Sequence, residues 1–217
     1  MQEALRLQAD LASRVLLDDD LPTNVSTMAG VDVAYGDETA IAYAAVAVLR
    51  VDNWEIIESA TASARTSFPY IPGLFSFREL PSISIALEKL SIRPDLVICD
   101  GHGIAHPRRF GLACHLGVTF DIPSIGCAKT LLFGDVGQPG QNRGDMAEIT
   151  AGGETIGAAL RTRVGVKPVY VSSGHKITLR TSLKEALRAC PQYRLPEPLR
   201  VADRIVNSMK RAATTTI

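Results

Sequence analysis

Leu96-Val97-Ile98-Cys99-Asp100-Gly101-His102-Gly103 is the stretch on which the fold turns. Four apolar residues in a row suit a strand covered on both faces, which belongs in the middle of a sheet rather than at its edge. Asp100 closes that strand at its carboxyl end, where open α/β sheets place their ligands. Gly101 and Gly103 would let backbone amides come close to a phosphate. The same letters also spell an ordinary strand-ending Asp-Gly turn.

Before this strand, residues 27–35 and 40–51 are rich in alanine and β-branched side chains and are joined by a turn at Gly36-Asp37-Glu38. Residues 54–63 read as a third strand after Asp52-Asn53. Connections this short predict an antiparallel meander. Residues 68–81 carry three prolines and a glycine, too much punctuation for a regular element, and Pro81 is expected to open a helix through Leu90. After the central strand the pattern predicts a helix from Pro107 to Leu116 and a strand from Ile122 to Ala128. A Gly-rich polar loop from Gly134 to Gly153 and a strand from Lys167 to Ser172 follow, with two closing helices, the last after Pro198. Within Met1 to Asp20, Leu5, Ala9, Ala12 and Leu16 repeat at helical spacing. The expectation is one α/β domain over residues 1–217: a mixed sheet, three antiparallel strands and then parallel strands, with helices packed on it.

The 217 residues, 46% of them hydrophobic, suffice for one such core. No run approaches the roughly 18 apolar residues of a membrane span, so no membrane partner is expected. The first 20 residues lack a signal peptide's apolar centre. Four cysteines without a Cys-x-x-Cys pair point to a reduced, cytoplasmic protein. Net charge is zero, which argues against binding a polyanion by bulk attraction. Residues 1–60, however, hold 3 basic and 11 acidic side chains, and residues 151–217 hold 12 basic and 4 acidic ones. That polarity could present a basic face to nucleic acid while acids gather a cation elsewhere, or it could simply be dispersed over a solvated surface.

Three acids stand in apolar or stiffened surroundings: Asp32 in Ala29-Gly30-Val31-Asp32-Val33-Ala34-Tyr35, Glu79 after a Pro-Tyr-Ile-Pro-Gly turn, and Asp100. Carboxylates in such places are costly to bury without a compensating cation, and paired magnesium ions held by acids from distant segments can cut phosphodiesters. On a strand, Asp32 shares a face with Gly30 and Ala34, which would leave room for hydrated metal. Lys129 ends a strand and could neutralise a transition-state phosphate; on its own it reads equally as a surface residue. Asp203 beside the stripe Leu199, Ala202, Val206, Met209 could turn inward as a fourth acid or stay solvated. His102 and His106 have the spacing of a helical zinc pair, but Gly101, Gly103 and Pro107 oppose a helix there. His106 followed by Pro107-Arg108-Arg109 better suits phosphate oxygens. In Pro69-Tyr70-Ile71-Pro72-Gly73 two prolines stiffen a loop that could hold Tyr70 and Ile71 outward as a wedge between bases, or pack Tyr70 on the core.

Taken together, these segments resemble the endonuclease V family of deoxyinosine 3′ endonucleases. The resemblance covers nearly the whole chain. It runs through Ala29-Gly30-Val31-Asp32, Phe68-Pro69-Tyr70-Ile71-Pro72-Gly73, Phe77-Arg78-Glu79 and Asp100-Gly101-His102-Gly103-Ile104-Ala105-His106-Pro107-Arg108. It continues with Ala128-Lys129, Val171-Ser172-Ser173-Gly174-His175 and Arg194-Leu195-Pro196-Glu197-Pro198. Cys127 stands where valine would be expected from the family pattern. The resemblance implies a ribonuclease-H-like fold, with metal-binding acids at Asp32, Glu79, Asp100 and, less securely, Asp203, and a catalytic lysine at Lys129. It implies a wedge at Pro69, Tyr70, Ile71 and Pro72, and a pocket for base or phosphate around Gly73, Gly103, His106, Gly111 and His175. The implied activity is Mg²⁺-dependent DNA repair, with Mn²⁺ able to substitute. A monomer would hydrolyse the second phosphodiester bond 3′ to deoxyinosine, leaving 3′-hydroxyl and 5′-phosphate ends, and inosine in RNA is a further substrate to consider. Three other readings use the same residues: a nuclease for RNA–DNA hybrids, a non-catalytic lesion-binding protein, and a zinc hydrolase built on His102, His106 and Cys114.

Overall fold

Nine strands form one sheet in the order β3-β2-β1-β4-β5-β9-β8-β7-β6, in a computed structural model that describes residues 2–36, 40–66 and 68–215. The strands are β1 (Thr27–Tyr35), β2 (Ile41–Arg50), β3 (Ile56–Arg65), β4 (Leu96–Cys99), β5 (Ser124–Ala128), β6 (Asp135–Val136), β7 (Met146–Ala151), β8 (Glu154–Leu160) and β9 (Val169–His175). Five helices accompany them: α1 (Gln2–Ala12), α2 (Ser76–Leu87), α3 (Leu112–Phe120), α4 (Leu179–Arg188) and α5 (Glu197–Thr215). The expected meander is present, since β1 pairs antiparallel with β2 and β2 with β3. Asp37 and Glu38, assigned to the turn between the first two strands, lie outside the described residues, as does Met1. β4 lies parallel to both β1 and β5, and β9 then pairs antiparallel with β5. This mixed α/β sheet is the ribonuclease-H-like arrangement that the resemblance implied.

β4 has the double burial its four apolar letters require. Val97 and Cys99 enter a core with Ile83, Ala86 and Leu116 from α2 and α3. Leu96 and Ile98 enter the opposite core with Ala186 of α4 and Leu199 of α5. A four-residue strand buried on both faces is fixed in register, because a one-residue slip would exchange its two sets of neighbours.

Several boundaries differ from expectation. α2 starts at Ser76 and holds Pro81 in its interior, so Glu79 is in the helix's first turn rather than in an irregular segment. A proline there leaves only one carbonyl without its helical donor, which the packed helix tolerates. α3 starts at Leu112, not Pro107, because Arg109 takes a left-handed φ of 54° and Gly111 is the extended N-cap. The presumed loop from Gly134 to Gly153 contains β6 and β7, and β8 follows directly. The overlooked signal is Gly152-Gly153, with φ of 63° and 83°, flanked by apolar alternation: a two-residue hairpin turn. Ser173, Gly174 and His175 belong to β9 rather than to a loop after it.

Gly30 does not open space for a ligand. A Cβ there would lie 2.2 Å from the Pro198 carbonyl carbon and oxygen, so the missing side chain admits the backbone at the start of α5. Gly30→Ala should therefore cost about 1–3 kcal/mol of stability by forcing α5 off the sheet. Urea unfolding would measure this, and a loss under about 0.5 kcal/mol, the range of neutral surface changes, would contradict the packing.

Candidate active site

The parallel strands at the centre of the sheet carry the site. Val31 of β1 is registered with Cys99 of β4, and Cys99 with Gly126 of β5. Asp32 and Asp100 each follow their registered residue directly, and Lys129 leaves the end of β5 at the same edge. Glu79 comes in from α2, only 6% exposed. All four line one cleft of about 480 Å³, together with Tyr35, Tyr70, Gly73, Phe75, Gly111 and Leu132, among others. Residues up to 97 positions apart therefore converge, as the sequence reading required of Asp32, Glu79, Asp100 and Lys129.

The electrostatics are those of carboxylates crowded together and partly withdrawn from water. Burial raises the Asp32 carboxyl to about 7, and the neighbouring Asp100 adds to the rise. Burial raises Glu79 to about 8, with Asp32 the next contributor. Lys129 Nζ lies 2.5 Å from Asp100 Oδ2. Burial works against the ammonium, but the Asp100 hydrogen bond and charge outweigh it and hold the lysine above its ordinary value. The other acids turn to local partners: Asp32 Oδ1 accepts from the Val33 amide at 2.9 Å, and the Tyr35 hydroxyl donates to Glu79 at 3.4 Å. Among the described residues no three Asp, Glu, His or Cys side chains are closed around one point as an ion cage. The donor chemistry still fits a hard divalent cation: three carboxylates and one lysine, with two of the acids raised by burial and by a neighbouring carboxylate.

Asp203, on α5, is exposed and does not line this cleft. It lines an adjoining hollow with Trp54, Arg200 and Arg204, which shares Asp100 and Lys129 with the main cleft, and its charge reaches Asp32.

At the cleft mouth Tyr70 is 69% exposed, its ring edge-on to Phe75 at 5.8 Å. Tyr70 and Pro72 line the cleft, whereas Pro69 is an exposed flank and Ile71 is half-buried, its carbonyl accepting from the Leu74 amide. Gly73 reaches a φ of 78°, which only glycine adopts readily at the hinge of the loop. His106 lines the cleft, is lowered to about 4 by burial, and accepts from the Arg108 amide at Nδ1, so it is a neutral imidazole at pH 7.

Two glycine and histidine assignments move elsewhere. Gly103 is buried, its amide donates to Ser172 Oγ at 2.8 Å, and a Cβ would lie 1.9 Å from the Ser173 carbonyl oxygen. It serves close packing of backbone on β9 and presents no amide to a phosphate. His175 is likewise away from the cleft: its Nδ1 accepts from the Leu16 amide at 3.2 Å and its Nε2 faces Asp121 at 3.5 Å, tying the N-terminal segment to the sheet. The zinc set does not assemble either. His102 Nε2 meets the Thr130 carbonyl, His106 binds its own loop, and Cys114 is buried with its thiol near the Arg109 and Ser173 carbonyls. All four cysteines are free and buried.

Tyr35, Phe75, Thr130 and Leu132 line the cleft without having been singled out in the sequence. Tyr35 had a usable signal, because it continues the Asp32 strand pattern; the Arg78 guanidinium stacks on its ring at 4.9 Å. Leu132 had none, since an exposed leucine in a loop carries no pattern.

The chain is similar to known proteins over nearly its whole length. The Endonuclease V family model matches residues 9–204. The Endonuclease V of Trichormus variabilis is 49% identical over 208 residues, covering 96% of this chain and 94% of that protein. The crystal structure of Endonuclease V from Streptomyces avermitilis superposes with a TM-score of 0.94 at 44% identity, covering 98% of this chain and 94% of that one. Ciona intestinalis Endonuclease V, crystallised with a 24mer DNA containing an inosine followed by a ribo-adenosine, gives a TM-score of 0.85 at 26% identity, covering 98% of each chain.

Proposed function

Because the chain belongs to the endonuclease V family, we propose that it is a DNA repair endonuclease acting at deoxyinosine. On this reading it hydrolyses the second phosphodiester bond on the 3′ side, as a monomer in the cytoplasm, and leaves 3′-hydroxyl and 5′-phosphate ends. The observation that carries the proposal is the juxtaposition in one cleft of a partly buried acid set with a lysine and an exposed, proline-stiffened tyrosine. A hydrolytic centre alone would suit a nuclease for RNA–DNA hybrids. The rigid aromatic at its mouth favours an enzyme that parts stacked bases before cutting.

Asp32, Glu79 and Asp100 would hold Mg²⁺, or Mn²⁺ in its place, and Asp203 stands close enough to add charge from the adjoining hollow. When bound, a divalent cation supplies Lewis acidity to the phosphate and lowers the pKa of water near it. The protein's own groups do the rest. Tyr70 takes the place of the extruded base in the stack, supported edge-on by Phe75. Hypoxanthine, which lacks adenine's exocyclic amine, is held in the cleft beside Gly73 and Gly111. Lys129 adds positive charge beside the phosphorus as negative charge develops on its oxygens. Neutral His106, accepting from the Arg108 amide, steadies that wall of the cleft without repelling the Arg108 guanidinium.

The test is a nicking assay on inosine-containing and unmodified DNA and RNA, with and without Mg²⁺, for the native protein and Tyr70→Ala. The native protein should cut inosine-containing DNA only when the metal is added. Tyr70→Ala should lose roughly tenfold in preference for inosine, the size of one stacking interaction. Equal losses on every strand would assign Tyr70 a structural role, and no metal-dependent cutting of any inosine substrate would refute the proposal.

A further inference from the structure

We propose that Gln8 of α1 is a positioning residue that clasps the two walls of the cleft and so sets how strictly the cleft discriminates the base it admits. The second half of this statement rests on the inosine reading above; the clasp itself does not. Gln8 is fully buried although Leu7 and Ala9 beside it are exposed. A primary amide is costly to bury unless its hydrogen bonds are met, and this one is well supplied. Its Nε2 donates to the Gly73 carbonyl at 2.9 Å and to the Phe110 carbonyl at 3.0 Å. Its Oε1 accepts from Arg108 Nε, and the same guanidinium donates through a second nitrogen to the Gly73 carbonyl at 2.5 Å.

The partners give the contact its meaning. Gly73 is the left-handed hinge of the loop that carries Tyr70, and Phe110 precedes Gly111; Gly73 and Gly111 both line the cleft. Gln8, with Arg108 beside it, therefore joins the tyrosine loop to the wall formed after β4, and Gln8 reaches segments 65 and 102 residues away in sequence. The rest of the contact made by this N-terminal stretch is apolar: Leu11, Ala12 and Val15 pack against Phe110, Cys114 and Val118. Such packing adheres but is not directional. The amide fixes direction, since two donors in a plane hold two carbonyls at one separation. Gln8 also precedes the residues that the family model matches, which begin at 9.

Hydrogen exchange read by mass spectrometry on the full-length protein without nucleic acid tests the clasp. The Leu74 and Gly111 amides, hydrogen-bonded to Ile71 and Gly103, report the two walls. Gln8→Glu preserves shape and the Arg108 contact but removes the donating NH₂; Gln8→Ala removes everything. Both should speed exchange in segments 70–76 and 110–113 about tenfold, as loss of one or two buried hydrogen bonds allows. Leu11→Ala, which removes packing on Phe110 but no hydrogen bond to Gly73, should leave segment 70–76 unchanged. In parallel, the ratio of cleavage rates on inosine-containing and unmodified DNA should fall several-fold for both Gln8 variants and hold for Leu11→Ala. Unchanged exchange in Gln8→Glu, or an equal change of segment 70–76 in Leu11→Ala, overturns the clasp. Faster exchange with an unchanged ratio overturns the link to discrimination. A native protein with no preference for inosine would sink the functional reading, while the exchange result would still decide the clasp.

Discussion

Asp32→Asn is expected to lower the rate of metal-dependent cleavage on the order of 10³-fold, the upper end of what loss of one charge-stabilising group costs. The same substitution should make the metal-free protein more stable. Asn retains the oxygen that accepts from the Val33 amide, so the local fold is kept. What it removes is a carboxyl held near 7 by burial and by Asp100. The sign follows from linkage. In the unfolded chain Asp32 ionises near its ordinary value of 3.8, so between about pH 4 and 7 the unfolded state releases a proton that the folded state keeps. Folding is penalised increasingly as pH rises through that window, and the penalty is complete above it. Below pH 4 both states are protonated and the substitution should be neutral. In chelator at pH 8 the variant should gain roughly 1–3 kcal/mol, about 2–10 °C in Tm for a chain of this size. Thermal melts at pH 4 and pH 8 with parallel nicking assays measure both effects. An unchanged Tm at pH 8 would show that the acids are not strained against one another. Retained cleavage would remove Asp32 from the metal set.

Lys129→Ala carries the second large effect. The ammonium touches Asp100 and is felt by Asp32 and Asp203, so it is the cation already within the acid cluster. Its position at the end of β5 aims it at the cleft that would receive the scissile phosphate. Cleavage at saturating Mg²⁺ should fall about 10²-fold through kcat, with a smaller change in KM for DNA, because the charge matters most when the phosphate oxygens gain charge. Added ethylamine should restore part of the rate. A loss of less than threefold, or an effect confined to KM, would make Lys129 a substrate-binding residue or a counter-ion only. The metal-free variant should also be less stable above pH 7, since Asp100 then lacks its partner while Asp32 and Glu79 ionise beside it.

Much of this architecture is legible in the chain, for identifiable reasons. The run Leu96 to Cys99 could only be satisfied by burial on both sides, and the short links between residues 27 and 65 could only join antiparallel neighbours. Asp32, Glu79 and Asp100 are visible because a charged group in an apolar or stiffened setting is anomalous by itself, whereas Lys129 is marked out by the resemblance. Gly103, close after Asp100, suggests a phosphate cradle and His175 is implied by the resemblance, but a tight crossing of backbones and a tether for the Leu16 amide use them up. Gln8 carried no signal at all, because nothing in an amphipathic repeat distinguishes an amide buried against two carbonyls from one in water. The hairpin of β7 and β8 is concealed because Gly152-Gly153 adds to the loop-like composition of residues 134–153 as readily as it marks a two-residue turn.

That hairpin bears on how the protein can be handled. Helices α1 and α5 brace the cleft, α1 through Gln8 and α5 through the seat of its first residues on Gly30. Gly152 and Gly153 have open space where side chains would stand, and the turn they form lies outside the residues that line the cleft. A reporter dye or affinity handle spliced between them is the modification the molecule should bear with least harm to its enzymology.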